Sequence, residues 1–327
     1  MVTEFGCNGQ NDSVINFMIS QNVRGRFARL DNSLNNILGQ HKYPEKVCSL
    51  IAEAVLLTVM IGQAIKLRWK LSLQIRGNGS IKLIAVDYFS PKDDNTAADI
   101  RAYAKFDLAT LDNQFGNDFQ SLGKGFFAVL IDQGEGTKPY QGITPLTGNS
   151  LSSCAETYFS QSEQLPTVFK IISGQSSTKG SSQTWRSGGI MLQQLPDQQM
   201  KHETFTDLKL KEKNIFLSED SDDSENWSHA KIILNTIKEL ELVGPELAPT
   251  TVLKRLFHKD QLSIFHTQNI KFGCSCSIEK VVKTLSIYSS KDIKTMTTDK
   301  GNVTADCQFC GQHYVLSPNE IGFEAED

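Results

Sequence analysis

The segment "YPEKVCSLIAEAVLLTVMIGQAI" (43–65) is the strongest helical pattern in this 327-residue chain. Val47, Ile51, Ala54, Val55, Thr58, Val59, Gly62 and Ile65 keep helical spacing, and Leu56, Leu57, Met60 and Ile61 widen the apolar stripe around the helix. A helix apolar on most sides is enclosed by other elements. Pro44 suits its first turn, where a missing N–H costs nothing. The densest apolar run, 54–61, is eight residues flanked by Glu53, Gln63 and Lys66, against the ~20 residues of a membrane span. The segment therefore predicts a buried core helix and no membrane partner.

The neighbouring segments supply the elements that enclose it. Val14, Phe17 and Ile19 open an apolar first segment, followed by "VRGRFARLD". In "KLSLQIRGNGSIKLIAV" (70–86), Leu71, Leu73 and Ile75 alternate onto one face, and Gly77-Asn78-Gly79 predicts a hairpin turn at positive φ. "IRAYAKF" (100–106), "FFAVLID" (126–132), "TVFKII" (167–172) and "GGIMLQQLP" (188–196) predict further strands, the last closing the core. "GEGTKPYQG" (134–142) reads as a tight connection. Asn149 and Ser150 are caps for a helix carrying Leu151, Cys154, Tyr158, Ser162 and Leu165, closed by Pro166. "SGQSSTKGSSQ" (173–183) predicts a flexible loop.

From about residue 196 the composition shifts toward Lys and Glu, with an acidic run "SEDSDDSE" at 218–225 that reads as a solvated segment. Ala230, Ile233, Leu234, Ile237 and Leu240 then predict an amphipathic helix ended by Gly244-Pro245, and Leu253, Leu256 and Phe257 a shorter one. The expected architecture is α+β. A mixed α/β body (1–196) packs β-sheets on buried helices, a helical connector (197–268) follows, and a small C-terminal module (269–327) ends the chain.

Composition narrows the function. Hydrophobic residues make up 39% and charged residues 21%, as in an ordinary globular protein, and the net charge of −4 supplies no field for phosphates, which argues against a nucleic-acid partner. "MVTEFGCNGQND" has neither the basic start nor the apolar core of a signal peptide, which predicts a cytoplasmic location. There stable disulfides are rare and paired cysteines bind metal or do redox chemistry. No G-x-x-x-x-G-K-[ST], G-x-S-x-G or H-E-x-x-H pattern occurs, so the expectation is a protein that is not an enzyme and has no catalytic residues.

Four of the seven cysteines form two tight pairs, Cys274/Cys276 in "FGCSCS" and Cys307/Cys310 in "DCQFCG". In an extended segment residues i and i+2 face the same way, and Gly311 permits the positive φ that curls a C-x-x-C turn around an ion. Four thiolates so placed predict one tetrahedral Zn²⁺ ion, with no open position for substrate. His313 and His266 stand close in sequence, but four thiols already complete the set. Cys48 and Cys154 fall on or beside apolar helix stripes and read as core fillers. A structural zinc contributes about 10–16 kcal/mol to a small module, against about 5–15 kcal/mol for a whole domain, so the module should fold only with its metal. Zinc-bound thiolates with a neighbouring resolving thiol also suit an oxidant-driven switch. Spacing alone does not choose between staple and switch.

Taken with "NVRGRFARL" (22–30), "LQIRGNGSIKLIAV" (73–86), "YFSQSEQLPT" (158–167) and "GGIMLQQLP" (188–196), these cysteines make the chain resemble the redox-regulated heat-shock protein 33 family of bacterial chaperones, over nearly its whole length. The resemblance implies an ATP-independent holdase for unfolding client proteins under oxidative stress. In it, Cys274, Cys276, Cys307 and Cys310 hold zinc when reduced. Oxidation implies the disulfides Cys274–Cys276 and Cys307–Cys310, loss of zinc, unfolding of the connector, exposure of client-binding surface and a homodimer on activation. One departure is that Ile100-Arg101-Ala102-Tyr103 stands where relatives commonly read Leu-Arg-Gly-Tyr.

Two rival readings stay open on residues alone. A zinc-stapled interaction or nucleic-acid-binding protein would keep its metal under peroxide. A thiol–disulfide oxidoreductase using Cys307 and Cys310 would need the C-x-x-C at a helix start, whereas Gly311 and a strand-like "HYVL" follow it.

Overall fold

The computed structural model describes residues 11–20, 22–93, 95–111, 117–176, 183–196 and 221–322. Strands β1 (Ser13–Ile19) and β2 (Val23–Leu30) form an antiparallel hairpin. After α1 (Asn32–Leu38) comes α2 (Glu45–Ala64), the predicted core helix, with 15 of its 20 residues buried and Pro44 as its N-cap. It is long and apolar enough to cross a membrane, but most of it is covered by the protein's own strands.

Strands β3 (Lys70–Gly77), β4 (Ile81–Phe89) and β5 (Ala98–Phe106) follow as a meander. The β3–β4 hairpin is as expected, but neither of its glycines adopts positive φ. What excludes a side chain there is a close approach: a Cβ on Gly77 would lie 2.1 Å from the Leu122 carbonyl oxygen, and one on Gly79 2.3 Å from that of Ser121. Then come α3 (Leu108–Leu111), β6 (Gly125–Asp132), β7 (Tyr140–Pro145) and α4 (Leu151–Tyr158). The Ser150 hydroxyl caps α4 by accepting from the Ser153 N–H, and a wider turn over Phe159–Glu163 replaces the expected regular helix out to Leu165. Strands β8 (Thr167–Ser176) and β9 (Thr184–Gln194) pair with each other. Part of the expected Ser/Gly loop is therefore strand, and its tip, 177–182, lies outside the described residues.

The ten-stranded sheet has the order β7-β6-β3-β4-β5-β10-β1-β2-β9-β8. Its strand β10 (Leu262–Phe272) corrects the reading of 188–196 as the last core strand. It pairs antiparallel with β1 and parallel with β5, joining the two halves of the sheet, and it runs unbroken through the boundary expected at 268/269.

Alternation sends the two faces of the sheet to different cores. Val14, Ala28, Leu30, Leu71, Leu73, Ile75 and Met191 pack with α2. Ile15, Phe17, Ile19, Phe27, Ile190 and Leu192 point the other way. That second face is covered by α5 (Ser221–Asn235), α6 (Glu239–Val243) and α7 (Pro249–Leu256), through Trp227, Leu234, Ile237, Leu242, Val252 and Leu253. The single amphipathic helix expected over 230–240 is thus two helices, and Leu240 is 78% exposed while Leu242 carries the burial. Of the acidic run, 221–225 are helical and 218–220 lie outside the described residues.

The terminal module holds α8 (Ile278–Leu285), α9 (Ser290–Met296) and the hairpin β11 (Val303–Asp306)/β12 (His313–Leu316). Its own core is small: Ile293, Val303, Leu316 and Ile321 are buried, with Val281, Val282 and Leu285 against them.

Candidate metal centre

The sheet itself delivers the first cysteine pair. The β10–β5 ladder runs to Phe272↔Ile100, and the Gly273 N–H donates to the Ile100 carbonyl at 3.1 Å. The chain then leaves the sheet through Cys274 and Cys276, and the Ser277 hydroxyl caps α8 by accepting from the Lys280 N–H. The second pair sits in the turn between β11 and β12. There the Cys307 N–H donates to Gln312 at 2.9 Å, the Gly311 N–H donates to Cys307 at 2.8 Å, and Gly311 has φ 66°, as its sequence position predicts. This C-x-x-C belongs to a strand–turn–strand unit and not to the start of a helix.

All four predicted sulfurs meet, each within 4.8 Å of every other. Cys274 Sγ lies 3.7 Å from Cys307 Sγ, and Cys276 Sγ lies 3.4 Å from Cys310 Sγ. A regular tetrahedron of thiolates with Zn–S near 2.3 Å has edges of about 3.8 Å, so the donor set fits that ion in number, type and spread. His313 Nδ1 is instead 2.6 Å from Asp306 Oδ1, and His266 is exposed on β10, so neither joins the sulfurs. Cys48 and Cys154 are buried in the main core, as expected, and Cys7 lies outside the described residues.

The four thiols are not electrostatically equal. Burial raises Cys274, but hydrogen bonds from the Cys276 N–H and the Arg101 guanidinium outweigh it and bring this thiol down to about 7. Burial pushes Cys307 and Cys310 up.

Arg101 is the residue that sequence reading missed. Ser72, Asp87 and Arg101 form one cross-strand row over β3, β4 and β5. The Ser72 hydroxyl donates to Asp87 Oδ1 at 2.5 Å, and Arg101 Nη2 and Nε donate to Asp87 Oδ2 at 2.7 and 3.0 Å. Arg101 Nη1 then donates to Cys274 Sγ at 3.4 Å, and its guanidinium lies 4.0 Å from the centroid of the Phe309 ring. The signal was present as strand alternation, because Ile100 and Ala102 turn into the core and so Arg101 and Tyr103 must face outward. Ala102 itself is fully buried, its methyl part of the core packing.

The sequence profile of the Hsp33 protein family matches residues 12–317. Among curated relatives, the 33 kDa chaperonin of Caulobacter vibrioides is 32% identical over 317 residues, covering 95% of this chain and 96% of its own. That of Ectopseudomonas mendocina is 32% identical, covering 91% and 90%. Among solved structures, the 33 kDa chaperonin of Thermotoga maritima superposes with a TM-score of 0.72 over 95% of this chain and 96% of its own, at 20% sequence identity, a likeness of fold.

Proposed function

This chain belongs to the Hsp33 family of chaperones, and on that premise we propose that it is an ATP-independent holdase, kept inactive by a reduced four-thiol zinc centre and activated by oxidation. The observation that carries this reading is the covered sheet face. Ile15, Phe17, Ile19, Phe27, Ile190 and Leu192 are an apolar surface of the body, and what keeps water from them is α5 to α7. A cover of three short helices is lifted at far lower cost than the sheet beneath it is unfolded. Lifting it bares apolar surface suited to an unfolded client protein in the cytoplasm.

The division of labour follows 1–196 as body, 197–268 as metastable connector and 269–327 as sensor, with β10 as the mechanical link, since it both ends the connector and leads two residues on into Cys274. Cys274, Cys276, Cys307 and Cys310 would hold one zinc ion as thiolates, and the ion would supply the small module with the stability its few buried side chains lack. The oxidised pairs are Cys274–Cys276 and Cys307–Cys310. For each bond, two thiolates give up two electrons to a peroxide, which takes two protons from solvent and leaves as two waters. Each bond removes two of the four donors, so the site and the module that depends on it are lost together. The activated form then pairs as a homodimer.

The test is zinc release and suppression of aggregation of an unfolded test protein, followed together under peroxide with mild heat and then after reductant and zinc. Joint rise and joint reversal support the switch. Zinc that stays bound, or that leaves without any gain in holdase activity, makes the site a staple.

A further inference from the structure

The tip of the C-x-x-C turn, between its two sulfurs, is docked on the body. Phe309 packs edge-to-face on Tyr103, with ring centroids 5.0 Å apart and planes at 83°, and its face takes the Arg101 guanidinium. On the other side of the tip, His41 Nε2, from the loop between α1 and α2, donates to the Gln308 carbonyl at 2.7 Å. Arg101 is held from the body side as well, because Asp87, itself bonded by Ser72, accepts from it and the Phe89 ring lies 5.2 Å from it. It thus touches one member of each cysteine pair's segment: the sulfur of Cys274 and the ring between Cys307 and Cys310. A cleft of about 470 Å³ opens beside it between body and module, lined by Trp69, Lys70 and Phe89 on one side and Lys280, Val281 and Leu285 on the other. Module and body therefore meet through this cluster as well as through the β10 backbone.

We propose that Arg101 is a positioning residue of the redox centre, coupling the shape of the four-thiol site to docking of the module on the body. This rests on the switch reading above. Its planar fork serves three partners at once, which a lysine cannot reproduce. It donates to Asp87, steadies the Cys274 sulfur, and caps the Phe309 ring that only a correctly folded C-x-x-C turn presents. While the sulfurs stay together, Phe309 stays seated and the module stays clamped against β5. When the turn is reshaped by a Cys307–Cys310 bond, the ring leaves Arg101 and Tyr103, and β10 loses its outer brace at the point where it carries the connector.

The experiment uses the reduced full-length chain, without client, in Arg101→Met, Arg101→Lys and Phe309→Ala forms. Zinc affinity is read by competition with a chelating dye. The site's electronic structure is read from the thiolate-to-metal absorption of the Co²⁺-loaded chain, and docking from hydrogen exchange at 98–106 and 307–311. Arg101→Met is expected to weaken zinc by about 10- to 100-fold, the usual effect of losing a group that orients a ligand, to shift the Co²⁺ band and to speed exchange in both segments. Arg101→Lys should restore part of the affinity but not the protection at 307–311, and Phe309→Ala should lose protection while retaining the Arg101–Asp87 pair. Should Arg101→Met leave Asp87 unpaired and the body unfolded, Asp87→Asn/Arg101→Met takes its place. Wild-type affinity, band and exchange in a folded Arg101→Met chain would overturn the proposal. Failure of the holdase reading registers separately, as wild-type chain that gains no activity under peroxide.

Discussion

Arg29 and Leu242 are joined across 213 positions of sequence: Arg29 Nε, from β2, donates to the Leu242 carbonyl at 2.7 Å. The same guanidinium donates through Nη1 to Leu247 and through Nη2 to Glu241, each at 2.6 Å. Burial and the neighbouring Arg186 bring it down to about 10, so it remains charged at neutral pH. One side chain of the body therefore satisfies two carbonyls of the last turn of α6, which the helix end leaves without backbone partners, and that of Leu247 beyond it.

Replacing Arg29 with Met should loosen the connector without touching the thiols. Each charged hydrogen bond lost weakens the closed form by about 1.5–3 kcal/mol, enough to make the lifted state of α6 and α7 common. The expected variant binds zinc as the parent does, exchanges amide hydrogens faster over 239–256, and suppresses aggregation under reducing conditions. A variant with faster exchange but no reduced-state activity would show that the covered face is not the client surface.

Stripping the metal tests the module. Its core has four buried apolar side chains, and a structural zinc contributes about 10–16 kcal/mol where the fold depends on it. Strong chelation of the reduced chain should make 278–322 sensitive to protease, while the body melts as before, since α2 and its sheet share no side chains with that small core. Cys310→Ser should do the same without chelator. A metal-free module that resists protease as well as the loaded one would contradict the dependence.

What could be read in advance was whatever is local. The spacing of α2, the alternation of β3 and the two cysteine pairs carry their meaning within about twenty residues, and the structure keeps all three. Strand β10 was illegible because the apolar Phe265 faces out, the polar Gln268 faces in and His266 is exposed, which masks its alternation, and its partners β1 and β5 lie far away in sequence. Arg29 and Arg101 were illegible for a related reason. A charged residue on a strand reads as solvent-facing until the segment that covers it is known, and here those segments are α6 and the C-x-x-C turn. Gly79 falls in the turn and Gly77 ends β3, but the cause is not positive φ; it is the Leu122 and Ser121 carbonyls some forty residues on.

Glu53 gives the body a pH dependence of definite sign. It lies on α2 and accepts from the Ser152 N–H at 2.9 Å and its hydroxyl at 2.8 Å; burial raises its carboxyl above the usual range, and these hydrogen bonds only partly offset that. Unfolded, it ionises near its ordinary value of ~4.3. Between that value and the raised one the folded chain binds more protons, so this group's stabilising contribution is complete at low pH and is lost as pH rises through the folded value. Glu53→Gln keeps an oxygen to accept from Ser152 and removes the charge. Urea unfolding at a series of pH values should find the variant gaining on the parent as pH climbs through that window and level above it. Parallel curves would mean that Glu53 does not titrate differently on folding.

The disulfide pattern can be read from two peptides. In the reduced geometry the Cys276 and Cys310 sulfurs are 3.4 Å apart and those of Cys274 and Cys307 3.7 Å, so contact distance alone does not favour neighbours over partners across the site. The connectivity expected from the family is Cys274–Cys276 and Cys307–Cys310. Backbone connectivity favours it once the site opens, because each neighbour stays within reach whatever the rest of the module does, whereas partners across the site separate as the module unfolds. Trypsin releases Cys274 and Cys276 together in 272–280 and Cys307 and Cys310 together in 301–327. After peroxide and alkylation, neighbour bonds leave these as two separate peptides, each lighter by two hydrogens than its reduced form. A bond across the site joins them into one species that splits on reduction. Finding the joined species as the main product would show that the thiols are oxidised inside the intact site, before the module opens.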